Sequence, residues 1–199
     1  MKIKKVKSTV EPIRDWDKIQ EIKSLLLSEE RYRDWLMFTL GLNFALRISD
    51  LLKFKVSDLY DADMFPKSRV ILREMKTNKE NFLTITNGSR EGLIQYQRLM
   101  RLQYSDDYLF KSRQGGNRPI NRVQAYRILQ NIVKQAGLTD INVGTHSLRK
   151  TWGYFAYKKF GLSLDSIMLK LNHQSIQSTK RYIGLTAEEK EEIENVVSF

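Results

Sequence analysis

The sequence predicts a mainly α-helical fold with one small antiparallel β-sheet, in the α+β class. Apolar residues recur with helical spacing along most of the 199 residues. This spacing changes once, between residues 69 and 86, where two short segments rich in β-branched or large apolar residues flank a polar turn. The sequence has no internal repeat, low-complexity segment or Pro/Gly-rich linker that would divide it. We therefore expect one domain, or at most a small second one.

Three helices are expected before the sheet. Asp15 can act as the N-cap of a helix over residues 15–27. A second, strongly apolar helix covers residues 31–46. Ser49 can cap a short third helix and turn the apolar residues that follow it inward.

The sheet is expected to be a β-hairpin. Its strands cover residues 69–75 and 81–86, and the polar residues 76–79 form the turn between them. Residues 107–110 could add a third strand.

Helical spacing returns after the hairpin. Gly137 and Gly161 lie where the C-caps of two helices are expected. Near the end of the sequence, Thr186 can cap a tail helix with Glu188 and Glu189 in its first turn. The four helices before the tail cover residues 89–102, 122–136, 146–160 and 163–171.

The charge is strongly positive and unevenly distributed. There are 34 Lys and Arg against 23 Asp and Glu, which gives a net charge of +11 and an isoelectric point near 9.7. Residues 188–194 hold five Glu and one Lys, so this stretch carries −4 and the remainder carries +15. A field of this sign favours a polyanion, either nucleic acid or an acidic membrane surface.

Composition also excludes several classes of protein. The absence of cysteine excludes disulfides, zinc–thiolate sites and thiol catalysis. The longest apolar stretch, residues 35–46, is shorter than the roughly 20 residues that a membrane span needs. The basic N-terminus is not followed by the apolar core of a secretory signal. We expect a soluble, cytoplasmic protein whose polyanion is nucleic acid.

Five polar clusters contain residue types that could act on a phosphate. The two residues His146 and Arg149 are three apart, so on a helix they could present an imidazole and a guanidinium to one phosphate. Taken singly, each cluster has an ordinary explanation, such as a helix-end cation, a solvated lysine, a capping histidine or a packed tyrosine. The clusters centre on Arg47, Lys76, His146 with Arg149, His173, and Tyr182.

Together and in this order, the clusters resemble the tyrosine recombinase (phage integrase) family. The resemblance covers residues 16–184 and is carried by the stretches ALRISDLL, MKTNK, THSLRKT and LNHQSIQSTKRYIG. It implies the catalytic-domain fold of that family, and recombination or integration of double-stranded DNA through a 3′-phosphotyrosyl intermediate. It further implies a homo-tetramer on DNA, a bacterial or phage-encoded mobile element, and a reaction without cofactor or metal.

By resemblance, Arg47 and Arg149 would clamp the scissile phosphate and Tyr182 would attack it. Guanidinium forks can stabilise charge on two non-bridging oxygens of a phosphate. A phenol with a pKa of about 10 is a poor nucleophile at neutral pH and needs cationic surroundings. Lys76 would match the hairpin lysine of the family and would protonate the leaving 5′-oxygen.

Three further positions follow from the same resemblance. His146 would match the first histidine of the family, and His173 the position that is His or Trp in relatives. Asp50 would be an acidic residue that supports Arg47 without touching DNA.

Other functions remain open at this point. Asp61 and Asp63 are spaced like the carboxylate pair of a metal-dependent nuclease, but two-metal sites need further acids and residues 60–66 are typical of a turn. A DNA-binding module without chemistry is a second alternative, and a type IB topoisomerase is a third.

Relatives usually carry a helical core-binding domain before the catalytic domain, whereas only about 14 residues precede the first helix of this sequence. This suggests either a catalytic fragment or a short recombinase. We divide the sequence into a basic arm (1–14), a catalytic domain (15–185) and a tail helix (186–199). The tail would pack on its own domain or dock on a neighbouring protomer through the apolar residues Ile193, Val196, Val197 and Phe199.

Overall fold

The structure is a computed structural model that describes residues 10–73 and 80–196. Most of the described chain is helical, with one two-stranded sheet. None of the helices in these ranges is long and apolar enough to cross a membrane. The elements are α1 (Trp16–Ser28), α2 (Tyr32–Phe44), α3 (Ile48–Leu51), α4 (Val56–Leu59), β1 (Arg69–Arg73), β2 (Glu80–Thr84), α5 (Asn87–Met100), α6 (Arg122–Gln135), α7 (Ser147–Lys158), α8 (Leu164–Leu171), α9 (Ile176–Ile183) and α10 (Leu185–Val196).

Helix α2 is the centre of the main core. It is buried along most of its length and contacts α1, α5 and α7. Gly41 allows α7 to approach closely, because a Cβ at this position would overlap the side chain of Leu148. This contact fixes the start of α7 against α2.

The predicted β-hairpin is confirmed. Strands β1 and β2 pair antiparallel, with Val70 opposite Leu83 and Ile71 opposite Phe82. Val70 and Leu83 are buried, whereas Ile71 and Phe82 are exposed, as expected for a sheet with one face on the core. The segment with Lys76, which the sequence predicts to be the turn, lies outside the described residues, as do the first nine residues and the tail residues Val197 and Phe199.

The third strand suggested for residues 107–110 is wrong. This segment pairs with the loop before α4: the Leu109 N–H donates to the Phe54 carbonyl at 2.8 Å, and the Val56 N–H donates to the Asp107 carbonyl at 2.9 Å. Its backbone is thereby engaged away from the hairpin, so the described sheet keeps two strands.

A second, smaller apolar cluster joins α7, α8, α9 and the start of α10. Gly153 permits close packing here, because a Cβ on this residue would lie 2.5 Å from Ile183 Cγ2. The cluster holds α9 against α7, and Tyr182 packs at its edge. Its buried members are Ala45, Ala156, Ile167, Leu171, Ile183 and Leu185.

The helix ends test the predicted caps. Asp15 is confirmed as the α1 cap, since its carboxylate accepts from the N–H groups of Asp17 and Lys18. Gly137 is confirmed directly after the α6 C-cap with a positive φ of 74°, and Gly161 has a positive φ two residues beyond the α7 C-cap.

Two other predicted caps are wrong. α3 begins at Ile48, and Ser49 lies inside it. α10 begins at Leu185, so Thr186 also lies inside a helix. The left-handed Gly184 (φ 90°) ends α9 and leads directly into α10, which leaves no extended residue to act as a cap.

Candidate active site

An open cavity of about 450 Å³ brings together residues from the three resemblance-bearing stretches that the structure describes. Five of the six predicted catalytic residues line it, and Lys76 lies outside the described residues. The buried Asp50 is not part of the lining, which fits a residue that would act through a neighbour. The lining residues are Arg47, His146, Arg149, Asn172, His173, Gln174, Ser178 and Tyr182.

Arg47 reaches the cavity because α2 ends abruptly. Ala45, at the C-cap of α2, has a left-handed conformation with a φ of 54°, and it ends the helix before α3 begins. Arg47 then precedes α3 with an extended backbone and without capping that helix through its side chain. The helix end therefore directs this guanidinium to the site.

Arg149 lies in the first turn of α7 and is 5% exposed. Its Nη2 donates a hydrogen bond of 2.6 Å to the carbonyl of Leu171, the last residue of α8. This bond fixes the orientation of the guanidinium, which has five N–H donors in all and can offer others to a ligand in the cavity.

Tyr182 lies near the end of α9, and its phenol oxygen is 3.4 Å from His146 Nδ1. The His173 ring meets the tyrosine ring edge-on, with centroids 4.8 Å apart and an interplanar angle of 73°. Burial raises the pKa of Tyr182, while the charges of Arg149 and Arg47 oppose that shift. The two arginines therefore favour the phenolate that burial disfavours.

His173 is held by a short chain of hydrogen bonds. Its Nδ1 is 3.1 Å from Thr179 Oγ1, and the Thr179 hydroxyl donates to the Ser175 carbonyl at 3.1 Å. Because the single hydroxyl proton is used in that bond, Thr179 acts as the acceptor for His173, and Nδ1 carries a proton. The other ring nitrogen is left for the cavity.

Both histidines are biased toward their neutral forms. Burial lowers the pKa of His146, and the charges of Arg122, Arg149, Lys150 and Arg47 add to that shift. Burial, followed by Arg149 and Arg47, lowers the pKa of His173. A neutral His146 can accept a proton at Nδ1 from the phenol if its own proton lies on Nε2.

Sequence reasoning missed one residue that touches Tyr182. The Nζ of Lys150 lies 5.0 Å from the centroid of the Tyr182 ring. The stretch THSLRKT contained the lysine, but a residue next to Arg149 points about 100° away around a helix. Only the tertiary contact with α9 brings it to Tyr182. Asn172, Gln174 and Ser178 of the lining were also not singled out.

The acidic pair considered for a nuclease has a local structural role. Asp61 Oδ1 accepts hydrogen bonds from the N–H groups of Asp63 and Phe65, at 3.1 and 2.9 Å. The turn predicted for this segment is thus confirmed. Across the described ranges, no group of three or more His, Cys, Asp or Glu is placed to hold a metal ion.

Comparisons with known proteins agree with the fold. The profile of the phage integrase family matches residues 16–189. A probable integrase/recombinase, YoeC of Bacillus subtilis, is 39% identical over 88% of this chain and 90% of its own length. The tyrosine recombinase XerC of Staphylococcus carnosus is 31% identical over 75% of this chain and 48% of its own length.

Among solved structures, the site-specific recombinase XerH bound to its difH substrate, before cleavage, superposes with a TM-score of 0.66 at 20% identity. It covers 92% of this chain and 52% of the XerH chain. The chain thus spans most of the Bacillus relative but about half of XerC and XerH. With the family profile matching nearly its whole length, the chain belongs to the phage integrase family of tyrosine recombinases, which are enzymes, and has their catalytic-domain fold.

Proposed function

We propose that this protein cleaves and rejoins DNA strands at specific sites, with Tyr182 as the nucleophile. One observation carries the proposal: the phenol oxygen faces His146 at 3.4 Å in a cavity that Arg47 and Arg149 also line. A phosphodiester in this cavity would meet a nucleophile, a proton acceptor and two guanidinium groups.

The chemistry is a transesterification. The Tyr182 oxygen forms a bond to phosphorus, its proton passes to His146 Nδ1, and the bond from phosphorus to the 5′-oxygen breaks. The product is a 3′-phosphotyrosyl link and a free 5′-hydroxyl. The phosphoester bond is exchanged rather than hydrolysed, so the reverse attack by a 5′-hydroxyl rejoins the strand without ATP.

The two arginines would stabilise the charge that builds up on the non-bridging oxygens. Arginine suits this role because its planar fork matches two phosphate oxygens and stays charged at all working pH values. Lys76 would supply the proton for the departing 5′-oxygen, and Asp50 would support Arg47.

Double-stranded DNA is the proposed partner. The net charge of +11 favours a polyanion, and the similar XerH structure is bound to its difH DNA. We further propose that recombination takes place in a homo-tetramer, since two duplexes with four strands to exchange need four nucleophiles.

A half-site DNA with a nick next to the scissile phosphate tests the proposal. Loss of the short 5′-hydroxyl strand would prevent rejoining and trap a covalent complex, visible as a slower band on a denaturing gel. We expect the complex with wild type, in excess EDTA and without ATP, and none with Tyr182→Phe. Binding without any covalent complex would favour a DNA-binding module, and cleavage only with a divalent metal would favour a nuclease.

A further inference from the structure

Lys150 contacts the ring of Tyr182 from a buried position. Its Nζ is 5.0 Å from the ring centroid, and the residue is 5% exposed. A cation over the face of an aromatic ring is attracted to its negative π-surface, and the attraction is larger where water is excluded. Lys150 does not line the cavity, so it contacts the nucleophile without facing the substrate.

Four side chains contact Tyr182, and one of them, Arg149, hydrogen-bonds its phenol. Lys150 covers the face of the Tyr182 ring, His173 meets its edge at a centroid distance of 4.8 Å, and His146 lies 3.4 Å from its hydroxyl. Of these four, Arg149, His146 and His173 line the cavity and are open to a bound phosphate. Lys150 is the one among them that does not line the cavity.

The charged neighbours of Lys150 belong to the segment before α1. Burial lowers the pKa of the Lys150 ammonium, the Glu11 carboxylate opposes this shift, and Arg14 adds to it. The segment is anchored beside α7 by the Ile13 N–H, which donates to Thr151 Oγ1 at 2.8 Å. Glu11 therefore helps to keep a positive charge behind the nucleophile.

We propose that Lys150 is a positioning residue for Tyr182: it holds the face of the ring so that the phenol oxygen stays beside His146, and its charge stabilises the attacking phenolate. The part played in DNA cleavage rests on the proposed function. The effect on Tyr182 itself does not, because it exists in the free protein.

The first test therefore uses the free protein. The nine tyrosines are replaced by 3-fluorotyrosine, whose phenol ionises at a lower pH than that of tyrosine. Fluorine NMR then follows the ionisation of each phenol, and the signal that is missing in Tyr182→Phe belongs to Tyr182. We expect Lys150→Met to raise the titration midpoint of Tyr182 by about one pH unit, or about tenfold less phenolate at a given pH. Lys150→Arg should return the midpoint toward that of wild type.

Methionine is a suitable replacement because it fills a similar volume without burying a charge. Lys134→Met, on the exposed side of the last turn of α6, removes one positive charge elsewhere and should leave the midpoint unchanged. Equal midpoints in wild type and Lys150→Met would overturn the proposal, and so would a shift of the same size in Lys134→Met.

The second test measures half-site cleavage under single-turnover conditions. Lys150→Met should cleave about tenfold more slowly, with unchanged DNA affinity, and Lys150→Arg should recover most of the rate. A wild-type protein that cleaves no DNA would refute the proposed function, and the NMR titration would still show whether Lys150 acts on the phenol of Tyr182. If the wild-type protein cleaves DNA and Lys150→Met cleaves it at the same rate, the role of Lys150 in cleavage is refuted.

Discussion

Arg149 donates a 2.6 Å hydrogen bond from Nη2 to the backbone carbonyl of Leu171. The bond joins the first turn of α7 to the last residue of α8, so one side chain both connects two helices and faces the cavity. The same guanidinium therefore serves the fold and the proposed phosphate clamp, and the two roles can be separated by substitution.

Arg149→Lys should separate them. An ammonium keeps the charge and a donor for the Leu171 carbonyl, but it lacks the planar fork that binds two phosphate oxygens at the same time. We expect half-site cleavage to fall by about 10²–10³-fold with little change in the unfolding transition. The control is Arg98→Lys on the exposed face of α5. Wild-type cleavage by Arg149→Lys would refute the clamp.

Arg149→Ala should also affect stability. It leaves the Leu171 carbonyl without this donor, so the free energy of unfolding should fall by about 1–3 kcal/mol. Urea unfolding followed by circular dichroism measures the difference from Arg149→Lys, and equal stability of the two variants would argue against a structural role for the bond.

The lowered pKa values of the two histidines should make the free energy of unfolding depend on pH. The folded pKa values of His146 and His173 lie below the ordinary value, chiefly because of burial, whereas the unfolded chain titrates near pH 6.5. As the pH falls, the histidines of the unfolded chain take up protons before those of the folded protein. The free energy of unfolding therefore decreases as the pH falls from about 6.5 to the lower pKa of the folded histidines.

Urea unfolding between about pH 7.5 and about pH 5 measures this slope. A variant with both His146→Gln and His173→Gln should have a flatter profile than wild type over the same range, because neither side chain can take up a proton. Parallel profiles would show that the histidines are not held neutral by the fold.

Lys76 is expected to act as the general acid. Lys76→Ala should slow cleavage by about 10²–10⁴-fold, because the departing 5′-oxygen then lacks a proton donor. A 5′-bridging phosphorothiolate leaves without a proton and should restore much of that rate. Equal rescue of Arg47→Ala by the sulfur substrate would remove this role from Lys76.

The tail helix is expected to contribute to the assembly of protomers on DNA. Lys180 on α9 pairs with Glu189 on α10 at 2.8 Å, so the described part of the tail contacts the helix that carries Tyr182. Deleting residues 186–199 should weaken cooperative binding to paired sites and leave binding to a single site largely intact, as measured by gel shift. Unfolding of the truncated protein, or unchanged assembly on paired sites, would contradict a role in assembly.

The long helices and the hairpin could be predicted because their own sequences specify them. α6 has a strong apolar stripe and a capping box between Asn121 and Gln124, and the hairpin strands alternate between buried and exposed residues around a polar turn. In each case local periodicity and tertiary burial point to the same structure.

Helix α9 could not be predicted in this way. It has eight residues, and only Thr179 and Ile183 among them are buried. Its position depends on a distant glycine, Gly153, which lets Ile183 pack against α7. Eight residues are fewer than the roughly 11–18 over which helical periodicity can be recognised in a sequence, and the four-residue α4 is shorter still.

The residues of the candidate site also differ in whether the sequence could predict them. The ordered motifs predicted which side chains would line the cavity, since Arg47, His146, Arg149, His173 and Tyr182 all do so. They could not predict Lys150, whose contact with Tyr182 is made between α7 and α9.

Identification of the covalently linked residue tests the central claim most directly. The complex trapped with half-site DNA would be digested with nuclease and protease, and the modified peptide sequenced by mass spectrometry. We predict one peptide that carries a nucleotide through its 3′-phosphate, with the phosphoester link on Tyr182. A link on any other residue, such as the neighbouring Tyr154 or Tyr157 of α7, or cleaved DNA without a covalent link, would contradict the assignment of Tyr182 as the nucleophile.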